Sequence, residues 1–152
     1  MAKKKQKSYT FDSPLALMKY DMGPSRYIPG KHLDYINNEL MKLINGETTR
    51  LCLILPPRHG KSTLISVYFP AYCMMQEMFK NSQIMQISYA KGLVEGFTTE
   101  ARNIVQEYGP YELDDSVQRK DEFKLARPNS AKCFSMGVQG GITGKGADRY
   151  NS

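Results

Sequence analysis

Apolar residues recur at the spacing of a helix in three main stretches of the chain. The pattern predicts one helix from Lys31 to Gly46, where glycine is a typical helix end, and another over about 91–108. A third helix is predicted to begin after Gly60 and to bend or restart at Pro70. A shorter helix, capped by Ser13, is predicted to precede these three.

Strands are predicted from continuous or alternating apolar residues. Leu51 to Leu55 is a continuous apolar run, typical of a strand covered on both faces of a parallel sheet. Gln83 to Tyr89 has the composition of a second strand, and Glu122 to Ala126 with Lys132 to Met136 predicts a hairpin. The order strand, helix, strand, helix, hairpin predicts an α/β fold with a largely parallel sheet flanked by helices.

Length and charge predict one folded domain behind a basic tail. The chain has 152 residues and a net charge of +6, and residues 1–12 are predicted to form a disordered tail. Apart from the four lysines of that tail, the chain has 17 basic residues and 15 acids, so its remaining charge is nearly balanced. The tail either is simply solvated or holds DNA phosphates. No apolar run approaches the roughly 18 residues of a membrane span, which predicts an intracellular protein.

The cysteines do not have the spacing of a metal site or of a disulfide framework. Cys52, Cys73 and Cys133 are far apart and lie among apolar neighbours. This pattern favours buried, reduced thiols. His32 and His59 are too few to complete a zinc site with them.

The segment PPRHGKST, from Pro56 to Thr63, has the clearest chemical signature. In a phosphate loop, backbone N–H groups at a helix N-terminus meet the phosphates, a lysine adds charge and a hydroxyl binds Mg²⁺. Gly60, Lys61 and Ser62 supply these parts between a predicted strand and a predicted helix. The usual motif begins with glycine where this chain has Leu55, so the loop is a variant. An ordinary surface loop is the alternative.

The predicted nucleotide contacts form one continuous segment: Pro57, Arg58, His59, Gly60, Lys61, Ser62 and Thr63. Lys61 is expected to contact the β- and γ-phosphates, and Ser62 to bind the Mg²⁺. Arg58 is the candidate catalytic residue, since an arginine there can stabilise the transferred phosphoryl group or sense a neighbouring subunit's nucleotide. An exposed basic residue is the alternative for Arg58. The His59 side chain has no predicted chemistry.

These residues, taken together, resemble the large terminase family, the motors that pump phage DNA into proheads. The proline-opened loop PPRHGKS is similar to that family's Walker A variant. The other matching features are Tyr27 to His32, Ile87 to Ala90, 108–111 and TGKGAD, Thr143 to Asp148. They span about residues 27–148, and PPRHGKS followed by TGKGAD at this distance is their most specific combination.

The resemblance implies a RecA-like P-loop ATPase with ATP and Mg²⁺ as cofactors. It also implies double-stranded DNA, a small terminase subunit and a portal protein as partners, a ring of identical subunits, and the host cytoplasm as the location. In the family the segment before the first helix contributes to the adenine pocket. Carried over to this chain, the resemblance indicates Tyr27 and His32 as adenine contacts. The alternatives are that Tyr27 is a packed aromatic ring and that His32 is a solvent-facing histidine.

Two parts of a terminase have no counterpart in this sequence. The Walker B strand, which ends in catalytic acids, would follow Gly146 to Asp148, and the nuclease domain would lie further on. The adjacent acids Asp114-Asp115 and Asp121-Glu122 do not follow an apolar strand. Residues 13–152 are therefore expected to be a partial ATPase domain that binds ATP but hydrolyses it poorly. The alternatives are a helicase-type translocase, a small-molecule kinase, or a non-enzymatic DNA-binding or assembly fragment.

Overall fold

The computed structural model of the protein describes residues 9–56 and 60–138, together with the backbone of 149–151. Its helical elements are α1 (Pro14–Arg26), α2 (Lys31–Ile44), α3 (Lys61–Thr63), a π-helix (Leu64–Tyr68), α4 (Phe69–Met75), a 3₁₀ turn (Glu77–Phe79) and α5 (Lys91–Tyr108). Its strands are β1 (Gln83–Ser88), β2 (Leu113–Gln118), β3 (Glu122–Leu125), β4 (Lys132–Gly137) and β5 (Arg149–Asn151). In this part of the chain, no helix is long and apolar enough to cross a bilayer.

The sheet is mixed, with the strand order β2-β3-β4-β1-β5. Strand β1 pairs in parallel with β4 and β5, whereas β3 is antiparallel to both β2 and β4. The predicted α/β class is confirmed, and so is the hairpin, which is β3 and β4. The expectation of a largely parallel sheet is wrong, because the hairpin joins the main sheet and β2 extends it on the antiparallel side.

Strand β2 was not predicted from the sequence. Its residues, LDDSVQ, include two aspartates, which strands disfavour, and they alternate weakly between polar and apolar. It forms by pairing with β3, with Leu113 opposite Leu125 and a shift in register before Gln118. An outer strand of this kind is specified by its partner more than by its own composition.

The helices agree closely with the sequence pattern. The observed α2 and α5 have the predicted positions, and Ser13 caps α1 by accepting a hydrogen bond from the Ala16 amide at 3.1 Å. Helix α1 is kinked at Gly23, where the backbone is not helical, with φ 64° and ψ 176°. The positive φ explains why glycine is favoured at that break. The bend expected at Pro70 corresponds to the π-helix that precedes α4.

Residues Leu51 to Leu55 do not form the predicted buried strand. Half-buried and exposed residues alternate along this segment, as they do in an extended chain, but no described strand pairs with it; we refer to it as the extended segment. Leu51, Leu53 and Leu55 pack against the core, while Cys52 is exposed and Ile54 is 92% exposed. A continuous apolar run indicates that a segment can be buried on both faces. It does not indicate that neighbouring strands are present to bury the segment, and for this reason the prediction failed.

The helices and the sheet enclose one large core and a smaller second cluster. The large core includes Ile84 of β1 and Cys133 of β4, which are register partners. The second cluster, on the other face of the sheet, contains Met85, Phe134 and Met136. Successive strand residues point to opposite faces, so both faces of β1 and β4 carry buried side chains.

Asp21 connects three helical elements. Its carboxylate accepts hydrogen bonds from the Tyr68 hydroxyl at 2.6 Å and from the Tyr108 hydroxyl at 2.8 Å. Tyr9 packs edge-on against Tyr108, so residues 9–12, which the sequence assigned to the tail, contact the folded domain. Residues 1–8 lie outside the described part of the chain.

The cysteine prediction holds for two of the three thiols. Cys73 and Cys133 are buried and free, as expected. The prediction was wrong for Cys52, which is exposed because it alternates outward along the unpaired extended segment. Burial raises the pKa of the Cys133 thiol to about 12, so this thiol is neutral near pH 7.

Candidate nucleotide-binding site

Gly60 lies where the extended apolar segment gives way to the helical region over 61–75. Its backbone is left-handed, with φ 73° and ψ −2°. A Cβ at this position would meet Leu33 Cδ2 at an ordinary 3.7 Å, so the requirement for glycine comes from the backbone conformation rather than from crowding. Gly60 therefore provides a tight turn at the N-terminal end of a helix, as a phosphate loop requires.

Lys61 and Ser62 follow this turn in the first helical residues. The Lys61 ammonium donates a hydrogen bond of 2.5 Å to the carbonyl oxygen of Leu55. This contact directs the lysine side chain back towards the end of the apolar segment. Ser62 is exposed, so its hydroxyl is accessible to a ligand.

A cleft of about 630 Å³ adjoins these two residues. It lies between the end of α2, the extended segment, the helices over 61–75, β1 and α5, and its volume is within the usual range for small-molecule sites. Apolar side chains form most of its wall: Leu40, Leu43, Ile44, Leu51, Leu53, Ile65, Phe69, Phe79, Ile87, Leu93, Val94 and Phe97.

The charge of the cleft favours an anion. Among the described residues that line it, Arg50 and Lys61 are charged and both are positive, whereas no carboxylate lines it. Thr49, Ser62, Ser66, Gln86 and Ser88 add neutral polar groups. A concave site with charge of one sign and apolar walls concentrates the electrostatic field on a ligand of the opposite sign.

The two predicted adenine contacts lie elsewhere. Tyr27 follows α1, with the Lys19 ammonium 5.5 Å from the centre of its ring, and His32 lies in the first turn of α2. Neither residue lines the cleft. Leu33 lies near Gly60 in space, so the first turn of α2, which contains His32, is close to Gly60, although His32 does not line the cleft.

Part of the predicted site lies outside the described residues. This holds for Pro57, Arg58 and His59, and for the TGKGAD segment over 143–148. Thr63 is described, is half-buried in α3 and does not line the cleft.

Sequence reasoning missed two residues of the cleft, Arg50 and Gln86. Arg50 directly precedes the apolar run in the sequence, and only the fold shows that it lines the same cleft as Lys61 and Ser62. Gln86 lies in the middle of β1 and is only 1% exposed. A glutamine between Met85 and Ile87 in a predicted strand was the signal available in the sequence.

The residues present are compatible with Mg²⁺ bound together with a triphosphate. No group of three or more His, Cys, Asp or Glu side chains in the described residues could hold a metal ion on its own. Magnesium in nucleotide sites takes most of its ligands from phosphates and water, so a single accessible hydroxyl such as that of Ser62 is sufficient from the protein. The donor set of the described residues therefore fits a cation that is bound together with a nucleotide.

No family model, curated protein or solved structure significantly matches this chain. The interpretation of the site therefore rests on its own residues and on their arrangement around the cleft.

Proposed function

We propose that this chain is the ATP-binding part of a large terminase, the motor that drives double-stranded DNA into proheads. The observation that carries the proposal is the arrangement of Gly60, Lys61 and Ser62. A left-handed glycine begins a helix, and the next two residues line a positively charged cleft. The α/β sheet is then part of a RecA-like P-loop domain, and the partners are a small terminase subunit, a portal protein and further copies in a ring.

Each residue of the loop has a distinct role in this proposal. Lys61 exchanges the Leu55 carbonyl for the β- and γ-phosphates, since a phosphate oxygen is the stronger acceptor for an ammonium group. Ser62 holds the Mg²⁺, which neutralises phosphate charge when bound. The backbone of 57–62 surrounds the phosphates, and Arg58 stabilises charge on the γ-phosphate or senses a neighbouring subunit.

Thermal unfolding with and without Mg-ATP tests the binding step. At a free concentration 100 times the dissociation constant, ligand binding to the folded state adds about 2.7 kcal/mol to the free energy of unfolding. Lys61→Ala is expected to remove most of that increase. Lys120→Ala, which removes an exposed lysine outside the cleft, is the matched control and should retain it. An equal shift in wild type and Lys61→Ala would refute the phosphate-loop assignment.

The isolated chain is expected to bind ATP without appreciable turnover. Positioning of the attacking water by an acid supplies much of the catalysis in phosphoryl transfer, and no carboxylate lines the described part of the cleft. Steady-state phosphate release should therefore stay at background, with or without DNA. Lys61→Ala serves as the control for contaminating ATPases. Turnover of about 1 per second that disappears in Lys61→Ala would contradict this expectation.

A further inference from the structure

Three basic residues lie together where α5 contacts the turn between β2 and β3. Two side chains of α5 hold the backbone of this turn. The Arg102 guanidinium donates a hydrogen bond of 3.3 Å to the Arg119 carbonyl oxygen, and the Thr99 hydroxyl donates one of 3.3 Å to the Lys120 carbonyl oxygen. These contacts make Arg102, Arg119 and Lys120 neighbours, and we call the three residues the basic surface.

The charge of the basic surface is not neutralised by contact with acids. Within the described residues, none of its three cations forms an ion pair. The turn is followed by Glu122, but that carboxylate is paired with Lys132. Asp121 forms no ion pair with a described cation. Like charges that are held close together repel one another, and an anionic ligand relieves this repulsion.

The exposure and chemistry of the basic surface fit phosphate groups. Arg119 and Lys120 are exposed and Arg102 is half-buried. A guanidinium has several N–H donors in one plane, which match the oxygens of a phosphate, and the carbonyl of Arg119 takes only one donor of Arg102. Cations spread over a turn and a helix can neutralise successive phosphates of a nucleic acid and release its counterions.

The composition of the basic surface favours a duplex over a single strand. Proteins that bind single strands stack the unpaired bases on exposed aromatic side chains. The exposed aromatic residues in the described part of the chain are Tyr20, Tyr35 and Tyr89, and none of them belongs to α5 or to the turn. Contacts from cations alone go to the phosphate backbone, which a duplex presents along its outside.

Helix α5 connects the basic surface to the cleft. Leu93, Val94 and Phe97 of this helix line the cleft, whereas none of the three cations does. Thr99, which holds the turn, follows Phe97 by two residues, or about 200° around a helix with 3.6 residues per turn. The cleft and the basic surface therefore lie on opposite sides of the same helix.

We propose that the basic surface contacts the phosphate backbone of double-stranded DNA. The choice of duplex DNA as the partner rests on the proposed function, and the anion-binding character rests on the three cations. The contacts are expected to be independent of DNA sequence, because phosphates carry no sequence information.

The test measures binding of a fluorescently labelled DNA duplex by anisotropy, at salt concentrations from about 50 to about 200 mM. In Arg119→Gln/Lys120→Gln the hydrogen bonds to the two backbone carbonyls can remain, so the fold should be retained. The double variant is expected to lower DNA affinity at least about tenfold. It should also reduce the slope of log affinity against log salt by about 2, since each phosphate contact contributes about 0.9. Arg102→Gln should reduce the slope by about 1.

Two control proteins separate this surface from net charge and from the tail. Lys19→Gln/Lys80→Gln removes the same charge from lysines that lie beside Asp34 and Glu77, and it should leave the slope unchanged. A chain in which the four lysines of residues 1–8 are replaced by glutamine should still lose affinity when Arg119 and Lys120 are replaced. Urea midpoints show that each variant is folded.

The outcomes distinguish this proposal from the proposed function. Equal loss of DNA affinity in the two double variants, or loss of all binding on replacement of the tail lysines alone, refutes the basic surface. If wild type shows the thermal shift with Mg-ATP but binds no duplex, the basic surface is refuted and the ATP site stands. If DNA binding depends on Arg119 and Lys120 but Mg-ATP causes no shift, the ATP site is refuted and the basic surface stands.

Discussion

The extended segment over 51–56 and the hairpin β3–β4 are both rich in apolar residues. They differ in strand pairing and in the burial of their side chains. In the hairpin, the Phe123 side chain is 0% exposed and Phe123 is paired with Cys133 across the ladder. In the extended segment, no strand of the described part of the chain pairs with the backbone, and Ile54 is 92% exposed. The hairpin is therefore held by strand pairing and burial, whereas the extended segment is held by the packing of Leu51, Leu53 and Leu55 and by the hydrogen bond from Lys61 to the Leu55 carbonyl.

The largest expected effect tests the hairpin side of this comparison. Phe123→Ala removes a fully buried aromatic side chain from β3 and is expected to lower the free energy of unfolding by about 3–5 kcal/mol. Ile54→Ala removes an apolar side chain of the extended segment that has little burial to lose, so its effect should stay within about 0.5 kcal/mol. Urea denaturation measures both. Similar losses in the free energy of unfolding for the two variants would show that both regions contribute equally to stability, against this comparison.

An intermediate effect is expected at Asp21, which stabilises the fold although it is polar. Asp21→Ala leaves the hydroxyls of Tyr68 and Tyr108 without their acceptor and should cost about 1–3 kcal/mol of stability. Asp114→Ala is the matched control, because that carboxylate bonds only locally to exposed Ser116. Equal urea midpoints for Asp21→Ala and wild type would exclude the role assigned to Asp21.

The same tyrosines predict a loss of stability at high pH. Burial first, and then the hydrogen bond to Asp21, raise the pKa of Tyr68 and of Tyr108 above the ordinary 10.0. The unfolded chain therefore releases these protons at lower pH than the folded chain, so their contribution is complete below pH 10 and is lost as the pH rises further. Urea midpoints measured from about pH 9 to about pH 11 should show this fall. Tyr68→Phe should make it shallower, and an unchanged slope would contradict the assignment.

The smallest effect on stability is expected where the extended segment meets solvent. No strand among the described residues pairs with the backbone around exposed Ile54, and an edge of this kind is a template for association between chains. We expect wild type to self-associate and Ile54→Lys to reduce this with little change in the urea midpoint. Val138→Lys alters a different exposed apolar residue and should leave association unchanged. Sedimentation velocity distinguishes the cases, and a wild type that remains monomeric at high concentration would contradict the expectation.

The sequence predicted correctly the elements whose secondary structure is determined by their own residues. Helices α2 and α5 follow from apolar periodicity and end signals, and β1 from composition. Strand β2 and the extended segment could not be assigned correctly from the sequence. Whether each forms a strand depends on pairing with a partner elsewhere in the fold, which the residues of the segment alone do not specify. At the site, the motif identified Lys61 and Ser62. Arg50 and Gln86 reach the same cleft only through the tertiary fold.

Hydrogen exchange of the backbone amides, measured with and without Mg-ATP, tests the central claim most directly. If residues 57–62 hold the phosphates with their N–H groups, exchange in the peptide that covers 56–63 should slow markedly on ligand addition, and Lys61→Ala should abolish that protection. The peptide over β3 and β4 should be unaffected by nucleotide in both proteins. Protection that arises elsewhere while the loop exchanges unchanged, or that persists fully in Lys61→Ala, would contradict the claim that this loop binds the triphosphate.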